Sequence, residues 1–139
     1  MRENQKIALS KIGHTKHLDK FVKDKSPYVR RAVARSGSDK HRDKLIQDTS
    51  ALVRASVAQY GNDSHRDYLI KDTDATVRRN VAGHGNDSHR DKLMHDESTL
   101  VRSNVAGYGN RDHATKLLED KVDSIRATAK QRLKELGET

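Results

Sequence analysis

Apolar residues recur along this chain as two short amphipathic segments in a fixed order. In the first segment, valines stand at positions i and i+4, as at Val29 and Val33, and a glycine follows at Gly37. That spacing is typical of one face of an α-helix. The second segment carries an adjacent apolar pair, Leu45 and Ile46, after a polar turn. The pattern therefore predicts two helices per unit and an all-α fold.

The unit recurs every 24 residues without a gap. The sequence Val-Arg-x-x-Val-Ala-x-x-Gly begins at positions 29, 53, 77 and 101, and a degraded copy begins at Ile125. We divide the chain into an N-terminal cap or partial repeat (1–24), four repeats (25–48, 49–72, 73–96 and 97–120) and a C-terminal cap (121–139). One unit cannot bury a core alone, whereas stacked units can share one. The sequence therefore predicts a single repeat domain over residues 1–139.

Turn-forming residues stand at the ends of the predicted helices. Ser26 lies three residues before Val29, where an N-cap residue is expected, and Pro27 suits the first helical position. Gly37 fits the left-handed conformation in which many helices end. The Ser or Asn after each such glycine can then cap the second helix. The helix boundaries are thus predicted from side chains that do not belong to the core.

The pattern D-x-x-x-x-V-R-x-x-V-A-x-x-G, followed by L-(I/L)-x-D, resembles HEAT-like repeats over about Lys6 to Leu136. Its 24-residue period is most similar to that of the leucine-rich repeat variant family. The resemblance implies a right-handed α-solenoid of about five two-helix repeats with capping ends, and an interaction scaffold rather than an enzyme. Units of that family often carry prolines between the helices, whereas this chain has only Pro27, so the second helix could be α or 3₁₀.

The excess of positive charge is concentrated at the N-terminal end of the chain. The net charge is +8, and residues 1–48 hold 13 Lys and Arg against 6 Asp and Glu, whereas residues 49–120 hold 10 against 11. A surface that tracks a phosphate backbone would carry its charge in every unit. Four lysines of the basic end are candidate partner contacts: Lys16, Lys20, Lys23 and Lys25. The chain has no cysteine and no apolar run of membrane-spanning length, so we expect a cytoplasmic protein without membrane contact.

An arginine and an aspartate recur in every unit. The arginines are Arg30, Arg54, Arg78, Arg102 and Arg126, and the aspartates are Asp24, Asp48, Asp72, Asp96 and Asp120. Because each aspartate stands six residues before an arginine, we expect each arginine to reach the carboxylate that closes the preceding turn. This structural ladder of ion pairs is the favoured interpretation, and a row of phosphate-binding guanidinium groups is the alternative.

A histidine also recurs once per unit, at His17, His41, His65, His89 and His113. Equivalent residues of stacked units lie roughly 10 Å apart, whereas zinc holds each nitrogen ligand at about 2 Å. Neighbouring histidines therefore cannot share a metal ion, and we predict neither a metal site nor a cofactor. We expect each imidazole to be half-buried and to donate a hydrogen bond to a backbone carbonyl.

Specificity is expected at the positions where the units differ. Tyr28, Arg31 and Arg79 are candidate exposed contacts with a partner. Residues 60, 84 and 108 read Tyr, His and Tyr, seven residues after a core valine, so we expect them to pack between units rather than to form a recognition stripe.

These observations favour a non-enzymatic scaffold that binds a macromolecular partner, with protein as the favoured class. The alternative is a nucleic-acid-binding module that uses the basic N-terminal end. A third hypothesis is a DNA glycosylase, because a HEAT-like subset has that activity. The chain has no tryptophan to grip a damaged base, and its acidic residues belong to the repeated pattern, so this hypothesis is disfavoured. The gapless register is also compatible with a designed consensus repeat.

Overall fold

The computed structural model describes residues 1–137, and within them the chain forms eleven α-helices and no β-strand. The first helices of the units are α1 (Glu3–Ile12), α3 (Pro27–Ser36), α5 (Ala51–Tyr60), α7 (Ala75–His84), α9 (Thr99–Tyr108) and α11 (Asp123–Glu135). The second helices are α2 (Thr15–Phe21), α4 (Asp39–Leu45), α6 (Asp63–Leu69), α8 (Asp87–Leu93) and α10 (Arg111–Leu117). The prediction of an all-α fold is confirmed, and the second helix of each unit is α.

Polar side chains cap α3 and α7, at Ser26 and Asp74, whereas the serines before α5 and α9 form no such hydrogen bond. The hydroxyl of Ser26 accepts the backbone N–H of Tyr28 at 3.2 Å, and Pro27 occupies the first turn of α3. Before α10, the side-chain oxygen of Asn110 accepts the backbone N–H of His113 at 3.0 Å. Each such bond satisfies an N–H group that has no partner within its helix. Short helices of seven residues therefore begin at fixed positions.

The glycines that follow α3, α5, α7 and α9 are not left-handed, so the prediction is wrong for them, whereas Gly13 after α1 is left-handed with φ 79°. Gly37 has φ −83° and ψ −174°, an extended conformation open to any residue. The reason for glycine is steric, because a Cβ atom there would lie 2.7 Å from the carbonyl oxygen of Val33 and 2.9 Å from Nδ1 of His41. The equivalent glycines at 61, 85 and 109 are equally crowded. The glycine thus lets the second helix and its histidine approach the end of the first helix.

The chain divides into two compact units of contact, of which the first is Met1–Leu69. Within it, α3 packs against α1 on one side and α5 on the other. Its core contains Phe21 from α2, Val29 and Val33 from α3, and Leu45 from α4. Residues 1–24, predicted as a cap or partial repeat, contain both helices of a unit, and α1 takes the place of a first helix beside α3.

The second compact unit begins at Ile70. Within it, α9 packs against α7 and α11, and α10 also contacts α11. Val77, Val101 and Ile125 are buried at equivalent places in the three first helices. The C-terminal segment predicted to be a polar-backed capping helix forms α11, which buries only Ile125 and Ala129 fully. Each unit therefore shows first helices packed against first helices, an arrangement that fits a repeat fold.

Candidate interaction surface

One groove on the first unit brings together side chains from three helices. It follows the exposed side of α3, between α1 and the last residue of α5, and has a volume of about 310 Å³. Val29 and Val33 hold the opposite side of α3 in the core, which fixes the side that faces the groove. The lining residues are Ile7, Lys11, Tyr28, Arg31, Ala32, Arg35, Ser36 and Tyr60. We call this feature the groove.

Two tyrosine rings support the arginines of the groove. The guanidinium carbon of Arg31 lies 5.7 Å from the centroid of the Tyr28 ring on the same helix. That of Arg35 lies 5.7 Å from the centroid of the Tyr60 ring, which belongs to α5. Both distances fall within the range of about 6 Å in which a cation is attracted to an aromatic face. The rings remain 50% and 40% exposed, so the stacked pairs lie at the surface.

The expectation that the row at positions 60, 84 and 108 packs between units holds only in part, because Tyr60 contacts Arg35 of the preceding repeat but both tyrosines stay exposed. Tyr60 borders the groove, and Tyr108 in the second unit is 56% exposed. Seven residues of helix return a side chain to nearly the direction of Val53, which is why the spacing indicated burial. Tyr60, however, is the last residue of α5 and lies at its edge beside Arg35.

The groove is positively charged and lacks acidic residues. Lys11 from α1 joins Arg31 and Arg35 in its lining, whereas no aspartate or glutamate contributes to it. None of these three cations forms an ion pair with a carboxylate of residues 1–137. The groove therefore concentrates positive charge beside the apolar surface of Ile7 and Ala32. An anionic group bound here would not compete with a carboxylate of residues 1–137 for these three cations.

The other predicted contact residues lie outside this groove. Lys16 and Lys20 are exposed on α2, and Lys23 and Lys25 are exposed in the turn that follows it. Arg79 is half-buried on α7 of the second unit, where its backbone carbonyl accepts an N–H from the side chain of Asn104 at 3.0 Å. The sequence thus identified Tyr28 and Arg31 in the groove but missed Lys11, Arg35 and Tyr60 as members of it.

The recurrent arginines contact the recurrent aspartates, but with other atoms than the sequence predicted. Nε and Nη2 of Arg30 donate to the carboxylate of Asp48 at 2.8 and 3.1 Å. Nη1 of Arg30 donates to the backbone oxygen of Asp24 at 2.7 Å. The expected ion pair with the carboxylate six residues earlier is therefore wrong, because that residue offers its carbonyl. The carboxylate comes instead from 18 residues later, where the second helix of the same repeat ends.

The same arrangement, the Arg–Asp ladder, recurs in the second unit. Arg78 contacts the carboxylate of Asp96 at 2.8 Å and the backbone oxygen of Asp72 at 2.7 Å. Arg102 likewise contacts the carboxylate of Asp120 and the backbone oxygen of Asp96, both at 2.8 Å. Arg54 and Arg126 donate to the backbone oxygens of Asp48 and Asp120, and Lys6 takes the arginine position beside the carboxylate of Asp24. The ladder guanidinium groups are thus engaged within the fold.

The ladder also affects the ionisation of Asp96 and Asp120. Burial alone would raise the pKa of Asp96, but hydrogen bonds from Arg78 and the backbone N–H of Ser98, with the charge of Arg102, hold that pKa below its ordinary value. Asp120 has its pKa lowered against burial in the same way, chiefly by Arg102. In return, the hydrogen bond to Asp96 raises the pKa of Arg78. Both partners therefore stay charged in the folded chain.

Four of the five recurrent histidines (His41, His65, His89 and His113) are buried, and the hydrogen bonds of His41, His65 and His113 differ from the prediction. Nδ1 of His41 accepts the backbone N–H of Ser38 at 3.0 Å, so the ring proton lies on Nε2, which donates to the carboxylate of Asp19 at 2.7 Å. The imidazole is therefore neither half-buried nor bonded to a carbonyl. His65 bonds to Asp43 and His113 to Asp91 through the same atoms. Each of these bonds joins the second helix of one repeat to that of the preceding one.

His17 departs from this pattern. It is only half-buried, stacks on the Phe21 ring at 5.9 Å and meets the His14 ring edge-on at 6.2 Å. No carboxylate within residues 1–137 forms an ion pair with His17, in contrast to the aspartates that His41, His65 and His113 contact.

One repeat places a serine, a histidine and an aspartate in a row. The hydroxyl of Ser38 lies 3.0 Å from Nδ1 of His41, whose Nε2 contacts Asp19. The lone pair of Nδ1 already receives the backbone N–H of Ser38, so it is not available to take the hydroxyl proton of a nucleophile. Asn62 and Asn110 occupy the serine position in other repeats and cap the same helix. The row is therefore a capping arrangement of the framework.

The described residues contain neither a cluster of metal-ligand type nor a hydrophobic span. No group of three or more His, Cys, Asp or Glu side chains within residues 1–137 is placed to hold one metal ion. Over the same residues, no helix combines the length and apolarity that crossing a bilayer requires. Every buried side-chain nitrogen and oxygen in the described part of the chain has a hydrogen-bond partner. The buried polar framework therefore has no unsatisfied atom to offer a ligand.

Neither a protein-family model nor a curated protein matches this chain. Among solved structures, a crystal structure described as an engineered protein is similar to it. That chain is 16% identical, the match covers 99% of this chain and 85% of that one, and the TM-score is 0.43. Such a distant likeness carries no argument about fold or function.

Proposed function

We propose that this chain is a non-enzymatic interaction scaffold, a right-handed α-solenoid that binds a protein partner along the exposed side of its first helices. The groove on α3 is the observation that carries the proposal. It is lined by residues that differ between repeats, whereas the residues that recur are buried or engaged in the Arg–Asp ladder and the histidine contacts. A constant framework that presents variable side chains is the design by which repeat arrays bind partners.

The distribution of cations favours protein over nucleic acid. The one arginine that recurs in every repeat is occupied by aspartates, as in the contacts of Arg30 and Arg102, and is not free to form a row along a phosphate backbone. The groove holds three cations at one place, next to the apolar surface of Ile7 and Ala32. Nucleic-acid binding through the basic N-terminal end stays the alternative, and it uses the separate lysines at 16, 20, 23 and 25. The cytoplasmic location stays a prediction.

A capture experiment tests the choice between these partners. The tagged full chain is used to isolate partners from extracts of its native host, with and without nuclease treatment. A protein partner that is retained after nuclease treatment is the expected result. Loss of all partners after nuclease treatment would instead indicate that nucleic acid forms the bridge and would contradict the proposal.

Direct binding measurements test the alternative separately. Duplex and single-stranded oligonucleotides are titrated near 0.05 M and near about 0.2 M salt, against the natural chain and a variant with Lys16, Lys20, Lys23 and Lys25 replaced by Gln. We expect weak binding that falls steeply with salt and disappears in the variant, because few phosphates are neutralised. Tight binding that persists near about 0.2 M salt in both chains would contradict the scaffold proposal.

A further inference from the structure

We infer that the groove binds an extended acidic segment of a partner protein, in which carboxylates at alternate residues contact Arg31 and Arg35. This inference rests on the proposed function and specifies the chemistry of its partner. Three cations line the groove without an acidic residue among them, and none has a carboxylate partner within residues 1–137. Charge complementarity therefore selects an anionic occupant.

The spacing of the two arginines matches an extended chain. Arg31 and Arg35 stand four residues apart on α3, which corresponds to a rise of about 6 Å along the helix axis. Residues i and i+2 of an extended peptide lie about 6.6–6.8 Å apart and point to the same side. Two acidic side chains separated by one residue can therefore meet both guanidinium groups at once. Adjacent acidic residues of a strand point to opposite sides, and only one of them can reach the groove.

The tyrosines prepare the arginines for carboxylates. A guanidinium group that stacks on a ring keeps its N–H groups in the plane of the fork, with the edge free to donate two parallel hydrogen bonds. The cation–π contacts with Tyr28 and Tyr60 also restrict the side chains before binding, so less conformational entropy is lost in the complex. The ammonium group of lysine has neither the planar set of N–H donors of arginine nor its preference for the face of an aromatic ring. The chemistry of this pair therefore favours a carboxylate over a partner that needs positive charge alone.

The size of the groove favours a short segment over a folded domain. Its volume of about 310 Å³ lies at the lower end of the range of about 300–1,000 Å³ that small-ligand pockets span. Lys11 from α1 offers a further cation beside the two arginines, and Ile7 and Ala32 offer apolar contact. A short segment whose two carboxylates both face the groove fits these surfaces, and the aliphatic part of its acidic side chains can contact Ile7.

Two labelled peptides of equal net charge test the spacing on the full chain. One carries alternating acids (Ala-Glu-Ala-Glu-Ala) and the other adjacent acids (Ala-Glu-Glu-Ala-Ala), both with blocked termini. We expect the alternating peptide to bind about tenfold more tightly by fluorescence anisotropy, because it forms one more charged hydrogen-bonded pair. The amide NMR signals of Tyr28, Arg31 and Ala32 are expected to shift on binding. Equal affinities, or shifts confined to other residues, would overturn the inference.

Matched variants test the residues. Arg31→Gln with Arg35→Gln is expected to weaken the alternating peptide by more than tenfold. Lys40→Gln with Lys44→Gln, also four residues apart but on α4 outside the groove, removes the same charge and is expected to change the affinity less than twofold. Replacing both arginines by lysine keeps the net charge and is expected to cost severalfold in affinity. Circular dichroism verifies folding of each variant. Equal loss in the two Gln variants, or full binding in the lysine variant, would show attraction to net charge alone and overturn the inference.

A third probe and the capture experiment separate this inference from the proposed function. A labelled oligo-dT of five nucleotides is expected to bind more weakly than the alternating peptide and not to displace it. Displacement at equal concentration would make the groove a nucleic-acid site and overturn the inference. If the Arg31→Gln, Arg35→Gln variant still captures the nuclease-resistant protein partner, the scaffold function stands and the acidic-segment inference fails. If no partner survives nuclease treatment, the scaffold function itself fails.

Discussion

Arg78 and Arg79 are adjacent on α7, and the structure assigns them opposite energetic roles. Arg78 is 8% exposed and donates to the Asp96 carboxylate at 2.8 and 3.1 Å and to the Asp72 carbonyl at 2.7 Å. Arg79 is half-buried, and only its backbone carbonyl forms a hydrogen bond outside the helix. Replacing either by alanine removes one positive charge from the same turn. The pair therefore separates the contribution of the ladder from that of net charge.

The expected cost of Arg78→Ala follows from what Asp96 loses. Removing one partner of a buried ion pair costs about 3–5 kcal/mol, because an uncompensated charge stays behind. Asp96 keeps the hydrogen bond from the backbone N–H of Ser98, at 2.9 Å, so we expect the lower end, about 3 kcal/mol. Arg79→Ala is expected to change the free energy of unfolding by less than about 0.5 kcal/mol, as surface substitutions do.

Urea denaturation followed by circular dichroism measures both values, and the slope m verifies that the variants unfold the same amount of surface. The single variant Asp96→Ala and the double variant Arg78→Ala with Asp96→Ala complete a double-mutant cycle, which gives the pairwise coupling. Equal midpoints for the Arg78→Ala and Arg79→Ala chains would refute the assignment of the ladder to stability.

Three further predictions use other parts of the framework. Gly109→Ala is expected to destabilise the fold by about 1–3 kcal/mol, because the added Cβ would lie 2.5 Å from the Val105 carbonyl oxygen. Gly107→Ala inside α9 is expected to stabilise it by about 0.4–1 kcal/mol, because the added Cβ meets only the Thr128 methyl at 3.5 Å. Thermal melts that rank the two variants otherwise would contradict this steric explanation. Because the pKa of Asp96 and that of Asp120 are lowered by folding, their contribution is present above the unfolded aspartate pKa of about 3.9 and is lost as pH falls through the lower folded pKa. Urea midpoints should therefore decline below about pH 4, and a decline that Asp96→Asn leaves unchanged would exclude Asp96 as a source. Nitrogen NMR of the imidazoles should show the Nε2–H tautomer for His41 and His113. Because the ring nitrogens are already hydrogen-bonded, EDTA or zinc should leave the melting temperature unchanged. A chelator-dependent drop of several degrees would instead indicate that the chain binds a metal ion.

The helices could be predicted because their signals are local. The spacing of Val29 and Val33, the cap at Ser26 and the proline at 27 all act within one turn of chain, and the structure begins α3 where they indicate. The role of Gly37 could not be predicted from its type, because glycine serves both left-handed turns and close approaches. Only the position of the His41 ring shows which of the two applies.

The sequence showed which residues recur, but it did not show which atoms those residues contact. The sequence showed that Arg30 has an aspartate six residues earlier, but the spacing does not show whether Arg30 contacts the side-chain carboxylate or the backbone carbonyl of an aspartate. The carboxylate of Asp48 reaches Arg30 only because the second helix returns the chain to the start of α3. The groove depends in the same way on Tyr60, whose helix position indicated burial and whose place at the end of α5 leaves it exposed.

Each of the histidine contacts described above joins a histidine of one repeat to an aspartate of the preceding repeat. Asp19 meets His41 and Asp43 meets His65, so removal of residues 25–48 would present Asp19 to His65 with no change of chemistry. The same deletion would remove Tyr28, Arg31 and Arg35 and with them the groove. An array of this kind can therefore gain or lose whole repeats by recombination between copies while its framework contacts are preserved. The groove does not share this tolerance, because the side chains that line it belong to particular repeats and do not recur together in the others.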